Sequence, residues 1–229
     1  MTDYKENPEI KVFPDLDKVI ARFEKKGILK VPTQVNMYAA IANNWCIGKA
    51  VVDVGCGIGI GTNVLGREAI GSFGIDINEE SVNFARQMFG NQKIKFEVAD
   101  ITKPVPRPIG SFDVVVAIEL IEHIADFEAV LKGLKRFYDE KRRTLFFISS
   151  PNRNSDKIAD DKPKNEYHVR EWTAGEFYSV LTKHFRAVVL YSGERVSDFN
   201  QKETVDGNTK GTPILAKCEL PIFTEGRVV

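Results

Sequence analysis

Four glycines occupy every second position in the segment VVDVGCGIGIGT, residues 51–62, directly behind a short apolar run. Glycine permits positive φ angles and lets a ligand approach the backbone N–H groups closely. In Rossmann-like folds such a turn joins the first strand to the N-terminus of a helix, where a nucleotide-type ligand binds. The segment therefore predicts the first strand–helix turn of an α/β fold, with a glycine-rich turn that binds nothing as the alternative.

Apolar runs alternate with helical patterns along the rest of the chain. The strand candidates are AVVDVG, SFGIDI, IKFEVAD, SFDVVVAIEL, RTLFFISS, RAVVLYSG and PILAKCEL. Continuous Val, Ile and Phe runs are typical of parallel strands that helices cover on both faces. We therefore expect an α/β, Rossmann-like, doubly wound sheet of seven mainly parallel strands. Residues 1–32 are predicted to be an extension with one helix, residues 33–229 the main domain, and residues 150–172 a loop on the substrate side.

An acidic residue follows the glycine turn at the distance expected of a ribose ligand. Asp76 ends the second strand candidate, 76 − 55 = 21 residues beyond Gly55, and a carboxylate there can accept both ribose hydroxyls of an adenosine. The dinucleotide pattern G-x-G-x-x-G is not met, because its sixth position is Ile60 or Thr62. Asp53 at the strand end would repel a pyrophosphate, and it suits a cationic group such as an α-amino group.

Four segments in this order and spacing resemble the class I S-adenosylmethionine-dependent methyltransferases: VVDVGCGIG, GIDINEESVNFAR, FEVADIT and FDVVVAIELIEH. With FFISSPN and the following helix, the resemblance covers about residues 33–195. It implies that S-adenosyl-L-methionine is the cofactor.

The resemblance implies a set of cofactor-binding residues that runs from the methionine end to the adenine end and then to the floor near the sulfonium: Asp53, Gly55, Gly57, Gly59, Asp76, Ile77, Asp100, Ile101, Ile118 and Glu119. Ile77, Ile101 and Ile118 have an alternative interpretation as core residues. Asp100 has one as a cap at the end of its strand.

The segment ELIEHI places Glu119, Glu122 and His123 at positions i, i+3 and i+4, which share one face if the chain is helical there. His168, in NEYHVREWT, ends the long irregular loop and could reach the same strand ends. Two carboxylates and two imidazoles would suit Mg²⁺, Mn²⁺ or Zn²⁺. Glu122, His123 and His168 are the catalytic candidates.

This arrangement is similar to two subgroups of the family. The ubiquinone-pathway O-methyltransferases carry a similar E-x-x-E-H element. The small-RNA 3′-terminal ribose 2′-O-methyltransferases add a later histidine in a context like H-x-x-E-W-T, which Glu171, Trp172 and Thr173 continue here. The resemblance implies that Glu119, Glu122, His123 and His168 bind a divalent metal that activates a hydroxyl. The alternative is a histidine that acts as a base, or orders the loop, without metal.

Further polar and aromatic side chains are candidates for acceptor binding: Tyr38, Asn152, Arg153, Tyr167, Arg170 and Trp172. The third histidine, His184, is predicted to be a surface or packing residue.

Charge and cysteine content narrow the choice of partners. Basic and acidic residues number 32 each, so the formal net charge is zero and no global attraction to nucleic acid or anionic membranes is expected. The three cysteines are far apart and form no CxxC pair, which indicates a reducing, cytoplasmic location. The N-terminal residues lack the apolar stretch of a signal peptide, and no apolar run is long enough to span a bilayer.

The sequence therefore favours an O-methyltransferase that acts on a hydroxyl of a small molecule or glycan. The alternatives are a metal-dependent ribose 2′-O-methyltransferase on RNA ends, with nucleic acid as its partner, and a non-catalytic S-adenosylmethionine-binding protein. Oligomeric state is not predicted by any of these features.

Overall fold

The computed structural model describes residues 33–104, 111–153, 163, 165–192 and 213–223. The helix predicted within residues 1–32 lies outside the described residues, as do residues 154–162 and 164 of the loop predicted at residues 150–172.

Strands and helices alternate along the described chain. The strands are β1 (Ala50–Val54), β2 (Gly71–Asp76), β3 (Ile94–Val98), β4 (Val114–Ala117), β5 (Leu145–Ser150), β6 (Phe185–Ser192) and β7 (Ile214–Pro221). The helices are α1 (Thr33–Trp45), α2 (Ile60–Glu68), α3 (Glu79–Phe89), α4 (Phe127–Lys135) and α5 (Ala174–Leu181), with a 3₁₀ turn at Ile121–His123.

The strands form one sheet in the order β3-β2-β1-β4-β5-β7-β6. Strands β1 to β5 are parallel, and β7 pairs antiparallel with both β5 and β6. The predicted Rossmann-like, mainly parallel seven-stranded sheet is confirmed. The chain proceeds outward from β1 to β3 and then returns to start β4 on the other side of β1. This reversal opens a crevice at the carboxyl ends of the central strands, where such folds bind ligands.

Alternate residues of the central strands face opposite layers, as the strand geometry requires. Val51 packs with α1 and α2 residues such as Met37, Ile41 and Leu65. Val52 packs on the other face, with Leu131 of α4 and Phe177 of α5 among its cluster. Asp53, between Val52 and Val54, is consequently directed to the α1 layer.

The sequence predicts two helix starts, because Asn78 precedes the helical pattern EESVNFARQMF and Thr173 and Glu176 have capping-box spacing. Both form in the structure. The side chain of Asn78 accepts a hydrogen bond from the Ser81 backbone N–H and begins α3. Thr173 and Glu176 form a reciprocal capping box that begins α5.

Strand β4 is shorter than predicted. It ends at Ala117, whereas the apolar run continues to Leu120. Glu119 adopts a left-handed backbone with φ of 51°, which stops the ladder before the 3₁₀ turn begins. None of the described helices has both the length and the apolar character needed to cross a membrane.

Candidate active site

A crevice lies at the carboxyl ends of β1, β2 and β3. It is lined by Val54, Gly55, Ile75, Asp76, Ile77, Ala99, Asp100, Ile101, Leu120 and Ile124. Five predicted cofactor residues are among these, whereas Leu120 and Ile124 were not predicted.

The glycine turn closes one end of this crevice. Gly57 has a φ of 51° and donates its N–H to Asp76 Oδ2 at 2.8 Å, and a Cβ added at Gly57 would meet nothing within 4 Å. Gly55 has a φ of 76°, and an added Cβ would lie 2.8 Å from the Leu120 side chain. The turn therefore leaves bare backbone beside open space at Gly57, while Gly55 makes room for a side chain of the protein itself.

Asp76 holds the turn in place. Its carboxylate accepts the N–H groups of Gly57 and Asn78, both at 2.8 Å. Burial raises the pKa of Asp76 despite these bonds. Because each carboxylate oxygen has a second lone pair, the ribose-binding role predicted for Asp76 remains compatible with these contacts.

Asp53 lies beneath the turn and is fully buried. Tyr38 donates its hydroxyl to Oδ1 at 3.0 Å, and Thr62 donates its hydroxyl to Oδ2 at 2.7 Å. Burial raises the pKa of Asp53 to about 7. Tyr38 is itself buried, so it does not lie on the acceptor surface as the sequence predicts.

The adenine-side predictions divide between the crevice and the core. Ile77 and Ile101 line the crevice, whereas Ile118 packs in the core beside α1, as its alternative interpretation has it. Asp100 lines the crevice and also caps its strand, because it accepts bonds from the Thr102 N–H and hydroxyl and pairs with Lys103. Burial opposes ionisation of Asp100, but these bonds prevail and its pKa is lowered.

Glu119 is directed toward β5. Its N–H donates to Ser149 Oγ, and the Ser149 hydroxyl donates to Glu119 Oε1, both at 2.8 Å. Burial, with the charge of Glu171, raises the pKa of Glu119 to about 7. The left-handed backbone at Glu119 breaks the helical spacing, so Glu119 does not share one face with Glu122 and His123 as the sequence predicts.

Glu122, His123 and His168 converge at the 3₁₀ turn. One ligand atom from each lies within 4.8 Å of the others, and this is the set among the described residues that could hold a metal ion. Glu119 is not part of that set. The Glu122 backbone carbonyl accepts the Val169 N–H at 2.8 Å, which brings the loop that carries His168 against the turn.

The Glu122 carboxylate is fully buried, and neither of its oxygens has a hydrogen-bond partner among the described residues. Burial, with the charges of Glu119 and Glu171, raises its pKa well above the ordinary value. Burying a polar group without a hydrogen-bond partner costs free energy. A bound cation or a proton donor at Glu122 would lower this cost.

Both histidines are oriented by acceptors on Nδ1. His123 Nδ1 lies 2.7 Å from the Tyr167 carbonyl oxygen, and His168 Nδ1 lies 2.6 Å from Glu171 Oε1. Because those oxygens accept, each Nδ1 carries the proton and each Nε2 presents a lone pair. His123 Nε2 is 3.9 Å from Glu122 Oε1, and Asn165 Nδ2 is 2.9 Å from His168 Nε2. Glu171, which the sequence marks only as part of a motif, thus orients His168.

The remaining loop candidates have mainly structural contacts. Asn152 is buried in a bridge with Trp172, and Arg153 pairs with Glu176. The Arg170 guanidinium stacks on Phe127 and Trp172, at 4.7 and 5.6 Å from the ring centroids. Tyr167 contributes its carbonyl to His123, as described above.

His184 is buried and pairs with Glu128 at 3.0 Å, and it is not among the residues that line the crevice. The prediction that it has a packing role is consistent with these contacts.

The chain matches the family described as "Methyltransferase domain" over residues 47–206. A probable S-adenosylmethionine-dependent methyltransferase from Mycolicibacterium smegmatis is 31% identical over 151 residues, which cover 63% of this chain and 54% of that protein. A ubiquinone biosynthesis O-methyltransferase from Idiomarina loihiensis is 31% identical over 109 residues, which cover 47% of this chain and 44% of that protein. The chain thus spans about half the length of the curated relatives it matches.

Solved structures share the fold. The methyltransferase domain of bacterial CtHen1-C superposes with a TM-score of 0.58 at 18% identity, covering 83% of this chain and 98% of that domain. At this identity the likeness concerns the fold alone.

Proposed function

The chain belongs to the methyltransferase domain family and is a class I S-adenosylmethionine-dependent methyltransferase; on that premise we propose that it methylates oxygen, at a hydroxyl of a small-molecule or sugar-like acceptor. The observation that carries the proposal is the buried Glu122 carboxylate, which has no hydrogen-bond partner among the described residues and stands beside two oriented histidines.

The cofactor crevice and this acid share one short segment of chain. Leu120 and Ile124 line the crevice, and Glu122 and His123 lie between them in the 3₁₀ turn. A methyl donor in the crevice would therefore lie next to the catalytic candidates. Methyl transfer is an in-line displacement, so alignment of the oxygen, the methyl carbon and the sulfur supplies much of the rate.

An oxygen acceptor fits this site because a hydroxyl must lose its proton during methyl transfer and the site contains bases. As the new C–O bond forms and the S–C bond breaks, the hydroxyl proton must leave, and a nearby base assists. Glu122 has a raised pKa and therefore a more basic carboxylate than an exposed glutamate. His123 Nε2, 3.9 Å from Glu122 Oε1, is the second base in reach.

The same three residues fit a divalent metal. They contribute one carboxylate and two imidazoles, and each histidine has its Nδ1 proton held by an acceptor, as is usual for metal ligands. A metal on His168 Nε2 would replace the contact that this nitrogen makes with Asn165 Nδ2. When bound, such an ion would lower the pKa of the acceptor hydroxyl and hold its oxygen. Two imidazoles favour Mn²⁺ or Zn²⁺ over Mg²⁺. The resemblance assigns Glu119 to this set too, but in this structure Glu119 is engaged with Ser149.

A ribose hydroxyl at an RNA end is the second candidate acceptor. It is favoured by the position of His168, whose ring centroid lies 4.9 Å from that of His123, since the later histidine is the feature that resembles the RNA-end enzymes. The zero net charge disfavours it, because phosphate contacts supply much of the affinity for nucleic acid.

The test is transfer of a labelled methyl group from S-adenosylmethionine to a panel of phenols, glycans, phosphonates and RNA 3′ ends, with and without EDTA. We expect label on an oxygen of one non-nucleic acceptor class, loss of turnover in EDTA, and its return with Mn²⁺ or Zn²⁺. His168→Ala should lose at least about 10-fold in activity, while His184→Gln, at the packing histidine, should not.

Label transferred only to RNA ends would support the second candidate. Label transferred to nitrogen would contradict oxygen transfer. Undiminished turnover in EDTA, together with an active His168→Ala variant, would contradict the role of the metal.

A further inference from the structure

Tyr38 connects helix α1 to the glycine turn. Its ring lies against Gly61 so closely that a methyl group on Gly61 would overlap it. Gly61 and Thr62 belong to the first turn of α2, and Asp53 is the penultimate residue of β1, where it contacts both Tyr38 and Thr62. Tyr38 therefore occupies the point at which α1, β1 and α2 meet.

The carboxylate of Asp53 has two neutral donors at this point. Tyr38 donates to Oδ1 and Thr62 donates to Oδ2, at 3.0 and 2.7 Å. No basic side chain of the described residues pairs with Asp53, although it is 0% exposed. Each oxygen of the Asp53 carboxylate therefore accepts a hydrogen bond, but no positively charged side chain of the described residues neutralises the carboxylate.

Among the described residues, acidic side chains and a thiol act on Asp53 and Tyr38. Asp76 lies near enough to disfavour its ionisation, and Cys56 and Glu119 act in the same sense on the Tyr38 hydroxyl. Such a negative local field favours the binding of a cation.

We propose that Tyr38 is a positioning residue for the cofactor, which acts through Asp53 to orient a carboxylate toward the α-ammonium group of the methionine portion. The proposal rests on the assignment of Asp53 to the methionine end, and it is independent of the acceptor and of any metal. It replaces the acceptor-binding role that the sequence predicts for Tyr38.

The hydroxyl of Tyr38 and its ring make different contacts, so their effects can be tested separately. Removing the hydroxyl deletes one hydrogen bond to the carboxylate, while the ring still packs against Gly61. Hydrogen bonds to a carboxylate favour its ionised form, so their loss makes Asp53 harder to ionise. The resulting loss of binding affinity should therefore affect only ligands that carry the ammonium group.

The experiment compares two ligands by calorimetry. S-adenosylhomocysteine carries the amino-acid portion, and 5′-methylthioadenosine lacks it. We expect Tyr38→Phe to weaken binding of S-adenosylhomocysteine about 10-fold at pH 7 and to leave 5′-methylthioadenosine within about twofold. Because Asp53 ionises as pH rises, the loss should be larger at pH 6 than at pH 8.5.

Two further variants complete the design. Thr62→Val should show the same selective loss, since it removes the other donor to Asp53. Tyr178→Phe, at an exposed tyrosine of α5, is the matched control and should change neither affinity. Thermal unfolding of each variant confirms that it is folded.

An equal loss for both ligands in Tyr38→Phe would show that Tyr38 only packs and would overturn the proposal. Unchanged affinity for S-adenosylhomocysteine at pH 6, or no binding of it by the unmodified protein, would overturn it too. Since no acceptor is present, these outcomes are distinct from a failure of the proposed oxygen transfer.

Discussion

At the scale of single residues, the site contains two glutamates in energetically unfavourable states. Glu122 is enclosed without a hydrogen-bond partner among the described residues, and Glu119 holds a left-handed backbone. Unfavourable features of this kind are characteristic of functional positions, where surrounding packing maintains them. Both residues lie in the short segment between β4 and α4, next to the cofactor crevice.

Replacing Glu122 by Gln should stabilise the metal-free protein while removing its response to metal. A neutral amide costs less to bury than a carboxylate, so we expect a gain of about 1 kcal/mol at pH 8. Thermal unfolding with and without Mn²⁺ measures both effects. An Mn²⁺-dependent rise in Tm that is the same in Glu122→Gln and the unmodified protein would contradict the assignment of Glu122 as a ligand.

Two glycines of the turn should respond differently to substitution by Ala. Both have positive φ angles, but an added Cβ at Gly59 would lie 2.7 Å from the Ala85 side chain and 2.8 Å from the Phe96 ring, whereas at Gly57 it meets nothing within 4 Å.

We therefore expect Gly57→Ala to lose about 1–2 kcal/mol of unfolding free energy from backbone strain, and Gly59→Ala to lose more. Gly57→Ala should also weaken the binding of S-adenosylhomocysteine, because the added methyl group enters the open space beside the backbone. Denaturant unfolding and calorimetry check the two effects; equal destabilisation of the two variants would contradict the contact geometry.

At the scale of elements, short local signals predict structure better than long apolar runs do. The Thr173 and Glu176 pair forms the expected capping box because both partners lie within one helical turn. The run SFDVVVAIEL overestimates β4, because the turn at Glu119 depends on hydrogen bonds with Ser149 of β5, which sequence spacing does not reveal. The same long-range contact is why the predicted shared face of Glu119, Glu122 and His123 is wrong.

The cap at Thr173 should stabilise the fold without serving the cofactor. Thr173→Ala is expected to lower the free energy of unfolding by about 1 kcal/mol, or Tm by about 2–4 °C, with unchanged affinity for S-adenosylhomocysteine. Ser179→Ala, at an exposed position of the same helix, should change stability by less than about 0.5 kcal/mol. A loss of cofactor affinity in Thr173→Ala would contradict this separation of α5 from the crevice.

At the scale of the whole molecule, the sequence predicts the sheet and the cofactor end of the site more fully than the catalytic end. Asp76, Ile77, Asp100 and Ile101 line the crevice because they lie at or just after the carboxyl ends of β2 and β3, and parallel strands end at one edge of the sheet. The roles of Tyr38 and Glu171 arise from contacts between distant or irregular segments. Such contacts have no periodic signal in the sequence, which is why sequence reasoning predicts an acceptor-binding role for Tyr38 and no separate role for Glu171.

Burial of acidic groups should make the ligand-free protein less stable as pH rises. The pKa of Asp53 and that of Glu119 are each raised to about 7 in the folded protein. The folded state therefore binds these protons more tightly, and their stabilising contribution is lost between about pH 4 and pH 7. His184, whose folded pKa is lowered, opposes this trend below its ordinary pKa.

We expect Tm to fall between pH 5 and pH 7.5 and the fall to be smaller in Asp53→Asn, as thermal unfolding across that range would show. A fall of the same size in Asp53→Asn would contradict the buried position of Asp53.

We propose that a divalent metal held by Glu122, His123 and His168 lies beside the cofactor crevice. Anomalous scattering from a crystal soaked with Mn²⁺ and S-adenosylhomocysteine tests it most directly. We expect one strong peak within bonding distance of all three side chains, with the nucleoside seated against Asp76. A fully occupied nucleoside with no peak at these residues would contradict it.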